Sequence, residues 1–162
     1  MIANYHTHTY RCRHAEGDER EYAEQAAKAG LKILGFSDHT PQDYFDAGPR
    51  PHPIRMTPEE LPGYAASVRR LAAEYKGTLD IRLGVEAEYY PKYFSRLLQM
   101  LRENGVEYMI LGQHYLGNEI GDVYSGRFTY TDVFSFFCIS IYFYGAKLLK
   151  RLKIACIISR FL

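Results

Sequence analysis

Four short apolar runs, each followed directly by a residue of metal-ligating type, set the frame into which this chain can fold. Residues 2–5, 31–37, 79–85 and 106–111 have strand length and strand composition. They lead into His6, into Asp38-His39, into Glu86 and into Gly112-Gln113-His114. Between them lie segments with helical signals. Asp18 and Glu21 have capping-box spacing at the start of a helix that Gly30 closes. Thr57, Pro58 and Glu60 supply an N-cap, a first-turn proline and a second capping box, and Pro62 is expected to push the helix start a few residues on. Leu61, Tyr64, Ala65, Val68, Leu71 and Ala72 then share one helical face, ended by Gly77. Phe94, Leu97, Leu98 and Leu101 mark a third helix, closed by Gly105. The β-α alternation predicts an α/β fold with a parallel sheet or a (β/α) barrel. In such folds sites form at the carboxyl ends of the strands, which converge on one rim.

The chain has 162 residues, enough for one domain with a real core. Its net charge of +1 gives no electrostatic footprint for nucleic acid. The three cysteines, Cys12, Cys138 and Cys156, have no framework spacing and fit a reducing compartment. No basic stretch leads into an apolar run at the N-terminus, so no signal peptide is expected. The longest apolar run, residues 133–144, is shorter than the roughly 20 residues of a membrane span. A cytoplasmic protein that engages neither membrane nor nucleic acid is the expectation, and oligomeric state is left open.

The histidines carry the chemistry. His6-Thr7-His8 places two imidazoles on one side of an extended chain, a donor pair suited to Zn, Fe or Mn. His14 lies in a polar loop able to fold back to the same rim. His39 leaves a buried strand and needs a partner for its ring nitrogens. Adjacent Asp38 is a candidate for the contact that fixes the tautomer. Glu86 follows an apolar run, and Glu88 lies on the same side of the chain if the strand continues. Each has an ordinary alternative: a strand histidine, a solvated loop, a salt bridge. Jointly these alternatives fail, because scattered core histidines have no reason to occupy successive strand ends with a glutamate among them. His52, in the loop of Pro49, Pro51 and Pro53, is the one histidine outside the clusters and reads as solvated or near substrate. Arg11, Arg13, Arg50 and Arg55 are candidates for gripping a phosphate.

His6-Thr7-His8 with His14, Ser37-Asp38-His39, Gly84-Val85-Glu86 and Gly112-Gln113-His114 resemble, in order and spacing, the motifs of the PHP (polymerase and histidinol phosphatase) superfamily. The stretches NYHTHTYRCRHAEG, GFSDHTP and GVEAEYYP most resemble its monofunctional histidinol-phosphatase branch, over roughly residues 1–130. The resemblance implies a distorted (β/α) barrel with two or three divalent ions at the strand C-termini. It implies that His6, His8 and Glu86 hold one ion, that Glu86 bridges to a second held by His114, and that His14 and His39 hold a third. It further implies metal-assisted phosphomonoester hydrolysis by a metal-bridging hydroxide, with no catalytic side chain assigned, on a small phosphorylated substrate, histidinol phosphate, in L-histidine biosynthesis.

Residues 133–162 differ from what precedes them, with five basic residues, no acidic ones and no histidine. They read either as a buried strand, a Gly145 turn and a basic amphipathic helix, or as an atypical tail left by truncation or a frame shift. The family's later His-Pro-Asp-like and Asp-x-His ligand segments have no counterpart here, and an eight-unit barrel needs about 200 residues or more. The expectation is a PHP-like domain over residues 1–132 forming an incomplete barrel, followed by that tail. The competing functional readings are another PHP-type phosphoesterase and an inactive metal-binding remnant.

Overall fold

Local signals in the sequence become a parallel sheet packed on one side by helices. The computed structural model describes residues 1–41, 54–112, 114–116 and 123–124. Strands β1 (Ala3–Asn4), β2 (Ile33–Phe36), β3 (Asp80–Ala87) and β4 (Tyr108–Leu111) lie in sequential order, all parallel, in a sheet curled into a half-barrel. Helices α1 (Glu19–Lys28), α2 (Leu61–Glu74) and α3 (Phe94–Glu103) make the crossovers. A short antiparallel pair, β5 (Tyr115–Leu116) and β6 (Val123–Tyr124), follows and was not foreseen from sequence.

The helix ends form where their residues dictate. Asp18 accepts from the Glu21 backbone N–H at 2.9 Å while Glu21 accepts from that of Asp18 at 2.8 Å, closing the capping box of α1. Gly30 ends that helix at φ +76°, a left-handed conformation that favours glycine. The Thr57 N–H donates to Glu60 at 2.6 Å, but this turn precedes the helix, which is regular only from Leu61. Proline in its first turn lacks a donor that would have had no partner there.

Period-two alternation splits the strands between two layers. Leu34, Phe36, Ile81, Leu83 and Val85 enter the helical layer, against Ala23 and Ala26 of α1, Leu61, Tyr64, Val68 and Leu71 of α2, and Leu97 and Leu101 of α3. Phe36 is fully buried, and such burial stabilises by roughly 1.5–3 kcal/mol. The opposite, concave face carries Gly35, Gly84 and Glu86. A Cβ on Gly84 would lie 2.1 Å from the Tyr108 ring and one on Gly35 2.2 Å from its hydroxyl. These glycines let Tyr108 lie flat across two strands, its hydroxyl within 2.8 Å of the Tyr5 and Phe36 carbonyls.

Gly63 in α2 has no left-handed φ, and a methyl group added there would meet nothing within 4 Å. Gly63→Ala is therefore expected to stabilise by about 0.4–1 kcal/mol through the unfolded chain. A thermal melt showing a lower Tm for this variant would contradict that.

Candidate metal centre

The strand ends bring the predicted residues together around one carboxylate. The chain beyond β1 continues beside β2, with the Thr7 N–H donating to Ser37 Oγ at 3.1 Å and the Ser37 N–H to the Thr7 carbonyl at 2.9 Å. Thr7 is buried, so the flanking rings of His6 and His8 turn to the other side and their Nε2 atoms approach to 3.0 Å. The bridge between His39 and Glu86 carries the β2–β3 pairing past the end of β2.

Glu86 Oε2 lies 3.1 Å from His6 Nε2, 3.1 Å from His8 Nε2 and 3.3 Å from His39 Nδ1. Its Oε1 lies 3.6 Å from His114 Nε2. His14 stands further out, its ring 5.2 Å from that of His8 and 5.1 Å from that of His39, with Nδ1 at 3.0 Å from the Cys12 carbonyl. All six predicted ligand residues thus share one rim. Their donor atoms form overlapping sets: His6, His8 and Glu86; His39, Glu86 and His114; and His8, Cys12 and His14.

This donor set fits divalent cations better than protons. His39 Nδ1 is near Glu86 but lacks hydrogen-bond alignment, and it and His8 Nδ1 are buried without a hydrogen-bond partner among the described residues. Leaving such a polar atom unpaired costs about 1–3 kcal/mol. Burial, with the nearby Arg55 charge, holds His39 far below the ordinary imidazole range and so neutral. Burial pushes Glu86 up, but the hydrogen bonds from His6 and His8 and the neighbouring rings outweigh it, and Glu86 stays ionised. A neutral imidazole and a charged carboxylate are the states that coordination requires.

The hydrogen bond to Glu86 raises the His6 pKa above 6.5 against the opposing effect of burial. In the metal-free chain that pair contributes stability fully present below the unfolded value and lost as pH rises through the folded one. Metal binding has the opposite sign, since an ion must displace the proton. Zinc affinity is therefore expected to climb between about pH 6 and 8 and then level. A flat titration-calorimetry profile over that interval would count against His6 as a ligand.

Several residues do other work than the sequence suggests. Asp38 is fully buried and accepts from both the N–H and the hydroxyl of Thr9, each at 2.7 Å. The imidazole it approaches is that of His8, at 3.9 Å, rather than that of adjacent His39, so it anchors the loop that carries His8. Among the arginines, Arg11 pairs with Glu19, and Arg13 pairs with Glu60 and donates to the Arg55 carbonyl. Arg55 is buried against Glu88. Arg50 and His52 lie outside the described residues, as do Gln113 and residues 125–162 with the whole of the expected tail. Sequence reasoning missed Gly112, where a Cβ would fall 1.7 Å from Glu86 Oε1. Cys12, close to the site in sequence, has its thiol among the donor atoms of His8 and His14.

The profile of the PHP domain matches residues 4–157, and the chain belongs to that family. A Deinococcus radiodurans protein described as "Probable histidinol-phosphatase" is 41% identical over 120 residues, which is 72% of this chain and 43% of that protein. The Bacillus subtilis histidinol-phosphatase is 32% identical over 115 residues, covering 68% of this chain and 43% of the enzyme. The chain thus spans less than half the length of these relatives. The Lactococcus lactis histidinol phosphate phosphatase, solved with Zn, L-histidinol and phosphate, superposes with a TM-score of 0.58 at 23% identity over 72% of this chain and 41% of that one. That likeness establishes the fold, a PHP-type (β/α) barrel of which the described strands form one part. No helix among the described residues is long and apolar enough to cross a membrane.

Proposed function

We propose that this chain carries the N-terminal metal-binding portion of a histidinol-phosphate phosphatase. The observation that carries the reading is the convergence of three ring nitrogens within 3.3 Å of one Glu86 oxygen. His6, His8 and Glu86 would hold one divalent ion, Glu86 and His114 a second, and His14 with His39 a third. Zinc is the first candidate, since the Lactococcus relative was solved with it; iron and manganese suit the same donors. Bound divalent ions supply Lewis acidity, activating water near neutral pH and neutralising phosphate oxygens. The chain's own groups prepare for this. Asp38 and Thr9 hold the His8 loop, His39 stays neutral, and Glu86 stays charged. The substrate class comes from the relatives' names, and cytoplasmic histidine biosynthesis follows from that class. The division at residue 132 belongs to the same reading, with residues 133–162 as an atypical tail.

The test is elemental analysis of the purified chain beside phosphate release from histidinol phosphate and a panel of other phosphomonoesters. Zinc-dependent release preferring histidinol phosphate is expected. Full loading without turnover would leave a metal-binding remnant, and preference for another ester would overturn the substrate.

A further inference from the structure

Arg55 and Glu88 are both about 1% exposed and form an ion pair inside the protein. Such pairs are a poor source of stability, because desolvation of both charges offsets their attraction, and apolar replacements often do as well. The pair is also incompletely satisfied: Arg55 Nε and Nη1 have no partner among the described residues. Stability alone does not account for the pair, and the second occupant of the same carboxylate supplies a reason for it. Glu88 Oε1, which accepts from Arg55 Nη2, lies 3.1 Å from His114 Nδ1. Glu88 Oε2 accepts from the Tyr90 hydroxyl. On its other edge His114 presents Nε2 to Glu86 Oε1.

We infer that Glu88, held by Arg55 and Tyr90, is a positioning residue that keeps the proton of His114 on Nδ1 and aims its Nε2 lone pair into the metal centre. This rests on the metal-site reading above and adds how one ligand is prepared. A carboxylate can only accept, so the nitrogen facing it must be the protonated one. Arg55 keeps Glu88 in that accepting form. Glu86 near the end of β3 and Glu88 just beyond it thus divide the work, one among the ring nitrogens of the candidate metal centre and the other at the back of His114. Outer contacts of this kind typically change metal affinity about 10–100-fold when lost.

The experiment is stepwise Zn²⁺ titration of the full chain by chelator competition, in wild type, His114→Ala, Glu88→Gln and the double variant Arg55→Met/Glu88→Gln. The binding step abolished in His114→Ala identifies the ion that His114 holds. That step is expected to weaken about 10–100-fold in Glu88→Gln and in the double variant, with the other steps kept. The double variant removes the uncompensated Arg55 charge that could unfold the single one. An unchanged step in both variants overturns the inference, whereas absence of Zn²⁺ binding by wild type overturns the metal-site reading instead. Imidazole ¹⁵N shifts of the metal-free wild type at alkaline pH give an independent decision that needs no variant. A His114 Nδ1–H tautomer is expected, and an Nε2–H tautomer overturns the positioning role even if neither variant folds.

Discussion

Glu86→Gln is expected to remove tightly bound metal from the first two sites together and to lower any phosphatase activity by about 10³-fold or more. Three ring nitrogens stand within 3.3 Å of Glu86 Oε2, and a fourth, on His114, is 3.6 Å from Oε1. Among the described residues, no other carboxylate belongs to the histidine–glutamate donor sets. The amide keeps the shape but loses the negative charge that offsets the cations, and its NH₂ is no ligand. A loss of several kcal/mol of charge stabilisation corresponds to that rate factor. The fold is expected to survive, because the substitution introduces no volume. Elemental analysis and a thermal melt of the same sample check both halves. A variant with wild-type zinc content would remove Glu86 from the centre of the site.

Gly112→Ala is expected to have nearly as large an effect by a steric route. The added methyl would sit 1.7 Å from Glu86 Oε1 and 2.5 Å from its Cδ. Glu86 cannot swing aside at small cost, since its side chain is buried and hemmed by His6, His8 and His39. Either the carboxylate leaves its position or the end of β4 retreats, taking His114 with it. Both outcomes split the donor set. Zinc affinity is expected to fall by about 10²-fold or more, with a destabilisation of about 1–3 kcal/mol from overpacking. Gly63→Ala, whose added methyl meets nothing, is the matched control. Equal metal affinity in the two alanine variants would show that β4 yields without disturbing the site.

Much of the architecture could be read from local pattern. The capping box of Asp18 and Glu21, the turn at Gly30 and the buried face of α2 involve residues a few positions apart, so their chemistry is complete within a short window. Strand limits were less exact. The first strand, expected over residues 2–5, is regular only at Ala3–Asn4, because the His6 N–H turns back to Asn4 Oδ1 at 3.0 Å. The third runs on to Ala87, since its pairing with β4 continues to Leu111. Which imidazole Asp38 approaches was not legible for a similar reason. Adjacency to His39 in sequence says nothing of direction, and successive residues of an extended chain point apart. The arginines show the same limit: Arg11 and Arg13 looked available until the fold supplied Glu19 and Glu60.

The sequence by itself determined the set of candidate metal-ligating residues and their delivery to strand ends, since hydrophobic runs and their terminators are local. His6 and His8 were weak evidence alone and became strong once His39, Glu86 and His114 were seen to end the following runs. Only the tertiary structure decided which atoms meet. His6 and Glu86 are 80 residues apart, and their 3.1 Å approach depends on the parallel register of β1, β2 and β3. The clearance at Gly112, the Tyr108 floor over Gly35 and Gly84, and the contact of the buried Arg55–Glu88 pair with His114 likewise exist only when separate segments of the chain lie side by side. Register and close approach are properties of paired strands, and no single segment contains them.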